Sequence, residues 1–175
     1  MVGIDNAGRR LRAREYLPYI DDTLSPPEPH PEGKLYPQFL LDEVIPFIES
    51  RYRIRSGPGN RVLGGSSYGA GAALYAAIAR PGSFDGLLLE SPSVYASDYQ
   101  LVRDAGSVRM WPRRVFIGSG TIGEPVEAVH KLEGIFRLAG LGDGRLRIIV
   151  LEGGTHTEAW WAKRMPDALK FFFPR

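Results

Sequence analysis

Gly64-Gly65-Ser66-Ser67-Tyr68-Gly69-Ala70-Gly71 lies between a short apolar run, Arg61-Val62-Leu63, and an alanine-rich stretch with helical spacing, and this junction decides the fold. A strand before it and a helix after it turn the G-x-S-x-G pattern into a strand–turn–helix nucleophile elbow. At such a turn a serine has strained backbone geometry and presents its hydroxyl, which asks for small residues two positions away on either side. Gly65 and Gly69 occupy those positions, and Ser67 is the candidate nucleophile. Ala70, Gly71, Ala72 and Ala73 would let the helix lie close on the sheet, and its N-terminus adds partial positive charge near a developing oxyanion.

A serine needs a base and an acid that orients the base. The chain has three histidines. His30 falls in the proline-rich Ser25 to Pro31 loop and His130 in the middle of a helical pattern, so both read as solvent-facing or structural. His156 follows the β-branched run Leu146-Arg147-Ile148-Ile149-Val150-Leu151 and the flexible Gly153-Gly154-Thr155, just past a strand end, where an activated-serine site of this chain order carries its base. The acid should lie between Ser67 and His156 at another strand end. Arg114 to Gly118 is that strand, and its loop, Ser119 to Gly123, leads to Glu124. Glu124-Pro125 would also open the next helix, where an acid suits the dipole and a proline the first turn. Glu158 and Glu152, flanking the histidine, remain alternative acids, with Asp98 and Asp104 behind them.

Working outward, apolar runs alternate with helical patterns: Met1 to Ile4 then Leu35 to Ser50; Arg61 to Gly64 then Tyr68 to Arg80; Gly86 to Glu90; Arg113 to Gly118 then Glu124 to Ala139; Leu146 to Leu151 then Glu158 to Phe173. Alternation of this kind predicts an α/β fold of three layers, a mostly parallel sheet of about five strands with helices on both faces and functional groups at the carboxyl ends of strands. With 175 residues the expectation is one domain, 1–175. The proline-rich stretch from Ser25 to Pro37 reads as a surface loop. Absence of cysteine removes disulfides, thiol catalysis and thiolate metal sites. With 22 basic against 20 acidic residues the net charge is +2, which gives no argument for nucleic acid; the Arg9-Arg10-Leu11-Arg12-Ala13-Arg14 cluster reads as a solvated face. No signal-peptide pattern or bilayer-length apolar run is present, so a cytoplasmic protein without membrane partners is the default expectation.

These residues resemble the esterase D and enterochelin-esterase-like branch of the α/β-hydrolase superfamily. The likeness covers Val2 to Asn6 with Arg14 to Pro18, Phe39 to Ile48 with Arg51 to Arg53, the elbow, Leu89 to Ser93, and Gly153 to His156 followed by Trp160 or Trp161. It implies a serine carboxylic-ester hydrolase working through an acyl-enzyme on a small-molecule ester. Ser67 would be the nucleophile, His156 the base and the Tyr68 amide an oxyanion donor, with Glu124, read from its strand-end position, as the acid and no metal or organic cofactor required. Tyr95, Trp160 and Trp161 would sit on loops that rim the site. A catalytically weak or inactive binding protein and an acyltransferase remain the alternatives.

The family's acid usually stands one or two positions after a Gly-Thr pair, where Ile122 and Gly123 stand here. The chain also begins at what resembles the family's fourth strand. The expectation is therefore an uncovered sheet edge, filled either by Met1 to Ile4 sliding beside Arg61 to Gly64 or by a second copy in a homo-oligomer. The sliding arrangement would bring an amide at Asn6 or Ala7, or the Asn6 side chain, into place as the second oxyanion donor.

Overall fold

The structure, a computed structural model, describes residues 1–22, 27–124 and 126–174. Four strands form one all-parallel sheet in the order β1 (Val62–Ser66), β2 (Gly86–Glu90), β3 (Arg114–Ile122), β4 (Leu146–Thr155). The alternation of side chains along these strands assigns the helices to faces. Leu63, Leu87, Leu89, Val115 and Ile117 point to one side, where they meet α4 (Tyr68–Ala79), α5 (Ala96–Ala105) and α6 (Val126–Leu138) in the main core. Val62, Leu88, Phe116 and Ile149 point to the other, against Ala168 and Phe172 of α7 (Glu158–Phe172). Each fully buried leucine or phenylalanine in these layers contributes about 1.5–3 kcal/mol. The alanines of α4 are almost wholly buried, so small side chains bring that helix down onto β1 and β2.

Helices fall where the periodicity predicts them, with one irregularity. The expected helix from Leu35 to Ser50 is a helical run made of α2 (Tyr36–Phe39), a π-turn over Leu40–Val44, and α3 (Ile45–Arg51). Pro46 has no N–H to donate and its ring crowds the carbonyl four residues back, so the chain widens there and the Ile45 N–H reaches the Leu40 carbonyl. A short helix, α1 (Arg12–Tyr16), precedes this run. Of the proline-rich stretch, Ser25 and Pro26 lie outside the described residues, as does Pro125 before α6.

Two expectations need correction. Met1 to Ile4 is irregular and adds no fifth strand. Val2, Gly3 and Ile4 instead line a groove with Phe39, Glu43, Val44, Phe47 and Ile48, and a short ladder containing glycine would have returned little. Among the described residues β1 is left with one strand neighbour, and the Arg12 guanidinium occupies part of the open edge by donating to the Ser66 carbonyl at 3.2 Å.

The second correction concerns two segments read as loops. Ser119 to Ile122 and Glu152 to Thr155 continue β3 and β4 as a paired ribbon that carries the register to Ile122↔Thr155, with a shift between Gly120 and Ile122. Glycine here is a packing requirement: a Cβ on Gly120 would run into the Gly154 carbonyl. The Thr121 hydroxyl accepts the Gly153 N–H at 3.0 Å and holds the ribbon at its irregular point.

Candidate active site

Parallel pairing puts the carboxyl ends of β1, β3 and β4 at one end of the sheet, where Ser67 and His156 follow β1 and β4 directly and Glu124 follows β3 after Gly123. Ser67 sits between β1 and α4 with φ 59° and ψ −125°, a left-handed backbone that a side-chain-bearing residue adopts at a cost of about 1–3 kcal/mol. Its neighbours over-determine that conformation. The Ser67 N–H donates to the Glu90 carbonyl at 2.9 Å, and its own carbonyl accepts from Ala70 at 3.1 Å and Gly71 at 3.2 Å at the head of α4 and from Ser93 at 3.3 Å after β2. The turn is thereby tied to the end of the neighbouring strand.

The two flanking glycines are not equivalent. A Cβ at Gly65 would collide with the Gly69 carbonyl, whereas one at Gly69 meets nothing nearer than the Tyr16 ring at 3.9 Å. The turn therefore requires the first glycine and merely accommodates the second. We expect Gly65→Ala to lower the folded yield and to cost about 1–3 kcal/mol in urea denaturation, the range for forced overpacking, while Gly69→Ala folds with a denaturation midpoint close to that of the parent. Equal tolerance at the two positions would contradict this reading of the turn.

Tyr68 is the first residue of α4, so its N–H has no carbonyl one turn earlier to meet and stands next to the Ser67 hydroxyl at the positive end of the helix. The Tyr68 phenol is held above its ordinary value, first by burial and then by Tyr95 and Asp21, with Arg12 opposing. Arg12 lies over both the Tyr68 ring, at 5.4 Å, and the Tyr16 ring, at 5.8 Å. A small cavity is lined by Tyr16, Tyr68, Ser93, Ala96 and Leu101, among others.

The other half of the site is built on the ribbon. His156 Nδ1 lies 3.2 Å from Glu124 Oε2; the imidazole is 34% exposed and the carboxylate side chain 0%. Glu124 Oε1 accepts a hydrogen bond from the Ser91 hydroxyl at 2.7 Å. His156 therefore presents Nδ1 to Glu124 and leaves Nε2 unengaged by that pair. Among the described residues the Ser67 hydroxyl is hydrogen-bonded to the Ser93 hydroxyl, at 3.3 Å, and not to His156. Serine–histidine contacts of this kind commonly tighten only when substrate is bound. The segment Glu90-Ser91-Pro92-Ser93 spans the site, with Ser93 on Ser67 and Ser91 on Glu124.

The remaining expected site residues separate. Tyr95 is exposed (44%) at the start of α5, close enough to perturb Tyr68. Trp161 stands edge-on to His156, ring centroids 5.3 Å apart, and its indole N–H donates to Ser91 at 2.8 Å. Trp160 carries Lys163 Nζ 3.5 Å over its ring. The Asn6 N–H is taken by the Asp5 carboxylate at 2.9 Å and the Ala7 N–H by Glu15 at 2.8 Å, while Asn6 Oδ1 accepts from Gly8 at 2.9 Å. The amides expected to form a second oxyanion donor are thus engaged by carboxylates, because the irregular N-terminal segment closes its own local turn instead of joining the sheet. Of the other histidines, His130 is exposed beside Glu133 on α6, and His30 is exposed with its amide on Glu28. Among the described residues there is no cluster of three metal-ligating side chains.

Sequence reasoning missed Arg12 and Ser93, and did not single out Ser91. The signal for the two serines was small hydroxyl residues flanking a proline at a strand end. The direction of their side chains is set by tertiary contacts.

Residues 1–131 match the family model described as Putative esterase. Over 91 residues, 51% of this chain, the sequence is 34% identical to a siderophore enterobactin esterase of Emericella nidulans, of whose length the match covers 30%. Among solved structures, the enterochelin esterase of Shigella flexneri superposes on 97% of this chain and 41% of its own, with TM-score 0.74 at 17% identity. The BES protein of Bacillus cereus covers 97% of this chain and 66% of its own, with TM-score 0.73 at 19% identity. The chain therefore spans about a third of the curated relative, and the structural likenesses give it an α/β-hydrolase type of fold.

Proposed function

The chain belongs to the Putative esterase family, and from that premise we propose that it is a serine carboxylic-ester hydrolase whose nucleophile is Ser67, whose base is His156 and whose acid is Glu124. The observation that carries this reading is the strained Ser67 backbone at the β1–α4 turn, at the same end of the sheet as a His156–Glu124 pair with a buried carboxylate. Strain of this kind is retained where presenting a side chain outweighs its cost.

In the proposed cycle Ser67 Oγ attacks the ester carbonyl carbon while its proton passes to His156 Nε2. The tetrahedral oxyanion is met by the Tyr68 amide and the head of α4. The C–O bond to the alcohol breaks, the alcohol takes the proton from His156, and an acyl-Ser67 ester remains. Water, deprotonated by His156, then attacks that ester carbonyl; the bond to Ser67 Oγ breaks, His156 returns the proton to the serine, and the carboxylic acid leaves. Glu124 keeps the imidazole in the Nδ1–H tautomer and faces the imidazolium that forms at each step. In the resting structure the Ser67 hydroxyl is on Ser93, so the cycle requires it to leave that hydrogen bond for His156.

The name of the fungal relative makes a siderophore ester the natural substrate to try, and the Arg12 guanidinium over Tyr68 suits an anionic one. The decisive experiment is stoichiometric labelling with a fluorophosphonate and mapping of the adduct. Modification at Ser67 supports the proposal; absence of label, or label on Ser66, Ser91 or Ser93, overturns it.

A further inference from the structure

We propose that Ser91 and Trp161 are positioning residues that act through Glu124, a relay in which the indole N–H fixes the Ser91 hydroxyl and the hydroxyl fixes the acid. This inference rests on the triad reading above and extends it to two side chains whose hydrogen bonds lead to the acid.

The direction of the relay follows from donor and acceptor chemistry. An indole nitrogen can only donate, so at 2.8 Å from Trp161 Nε1 the Ser91 oxygen must accept. Its single hydroxyl proton is then committed to Glu124 Oε1, 2.7 Å away. A carboxylate only accepts, and its second oxygen is left for His156 Nδ1 at 3.2 Å. Every proton in the line Trp161, Ser91, Glu124, His156 therefore has one possible place, and Nε2 of His156 is left as the free lone pair a base requires. Trp161 closes the line on itself, because its ring stands edge-on to the same imidazole that its N–H orders through two intermediaries.

Two further observations make this a built arrangement. Ser91 has φ 44°, so the chain accepts an unfavourable backbone at the residue that delivers the hydroxyl. The Glu124 side chain has no exposed surface, so loss of that hydroxyl could not be made good by bulk water without rearrangement. The charged neighbours of Glu124 are His156 beside it and Glu90, whose like charge is felt at the end of β2 and is itself paired with Arg164 of α7. Among the described residues Ser91 supplies the hydrogen bond to the oxygen of Glu124 that His156 does not use.

The test measures kcat and KM on a short p-nitrophenyl ester for the parent, Ser67→Ala, Ser91→Ala, Trp161→Phe, Ser91→Ala/Trp161→Phe, Glu124→Ala and Ser91→Ala/Glu124→Ala. Loss of one hydrogen bond to a charged group predicts a fall in kcat of about 10- to 100-fold for Ser91→Ala, with KM within about twofold. Trp161→Phe keeps a ring against His156 and loses the N–H; it should lower kcat, and should add nothing once Ser91 is alanine, since its donor acts only through that hydroxyl. The Ser91→Ala loss should likewise vanish once Glu124 is alanine. A local packing role predicts the opposite, the same factor in both backgrounds. Full kcat in Ser91→Ala and Trp161→Phe, or effects that multiply in the double variants, overturn the relay while leaving Ser67-dependent turnover intact. Turnover that survives Ser67→Ala overturns the triad reading and the relay with it. If Ser91→Ala does not fold, Trp161→Phe decides alone, and unchanged kcat there overturns the relay.

Discussion

Ser67→Ala and His156→Ala are each expected to lower kcat on short p-nitrophenyl esters by at least about 10⁴-fold, and the double variant should be no worse than the poorer single one. The reason is that the two side chains perform one event. The hydroxyl is a weak nucleophile until its proton has somewhere to go, and the imidazole has no proton to take once the hydroxyl is gone, so losses in such a pair overlap instead of multiplying. The backbone at residue 67 should survive replacement, because its hydrogen bonds to Glu90, Ala70, Gly71 and Ser93 use main-chain atoms. Circular dichroism and the melting temperature of Ser67→Ala should therefore match the parent. Activity in Ser67→Ala within tenfold of the parent would refute the assignment, and losses that multiply in the double variant would show that the two residues work apart.

The second large effect concerns stability and lies beneath the site. Arg164 of α7 and Glu90 at the end of β2 form an ion pair at 2.8 Å with side chains 1% and 3% exposed. Both Nε and Nη2 of the arginine converge on Oε2, and Nη1 donates to the Ser119 carbonyl at 3.1 Å, while Oε1 has no partner among the described residues. A Cβ at Gly118 would collide with this carboxylate, so the glycine in β3 makes its room. Burial raises the Glu90 carboxyl above the ordinary carboxylate range, with the Glu124 charge adding to it and Arg164 opposing.

Arg164→Met removes the opposing charge and strands a buried carboxylate. The expected cost is about 3–5 kcal/mol near neutral pH, or a melting temperature lower by about 6–20 °C for a chain of this size. The pH dependence has a definite sign. A carboxyl whose folded value lies above its unfolded one favours folding while protonated, and that contribution is lost as pH rises through the folded value. The deficit of Arg164→Met should accordingly be smaller at about pH 4.5 than at about pH 7.5. The double variant Glu90→Leu/Arg164→Met removes both charges and should recover most of the loss, since a buried pair often does no better than apolar residues of similar volume. An equal deficit at both pH values, or a double variant as unstable as Arg164→Met, would refute this account.

Much of this was legible in the sequence, for identifiable reasons. The elbow declared itself because a strand, a serine between glycines and an alanine-rich helix each obey a local rule, and the rules agree at one place. His156 and Glu124 could be placed because parallel sheets collect their functional side chains at strand ends. What was hidden depended on distant contacts. The ribbon beyond Gly118 and Leu151 read as loop because glycine-rich segments do so locally, whereas here glycine permits two backbones to approach. Met1 to Ile4 has a strand's composition but no partner ladder, and the helical run beside it offered a better surface. The start of α5 has Ser97, Asp98 and Tyr99 in the left-handed region, held by Ser97 bonds to Asp21 and to the Tyr19 carbonyl from outside the helix. No periodicity announces that.

The β3–β4 ribbon also divides the tolerances of the site unequally. Glu124 and His156, the proposed acid and base, follow adjacent strands paired up to Ile122 and Thr155, two residues before Glu124 and one before His156, so little chain lies between the last backbone pairing and either group. Ser67, the proposed nucleophile, follows β1 and is tied to that pair through the segment Glu90 to Ser93 after β2, bonded to Ser67 at Glu90 and Ser93 and to Glu124 at Ser91, so a displacement of β2 or of that segment is felt at Ser67 first. Alignment errors therefore collect between base and nucleophile and spare the bond between base and acid. Heating short of unfolding, or a substitution on the α4 side of the sheet, should silence the chemistry while the imidazole still rests on its carboxylate.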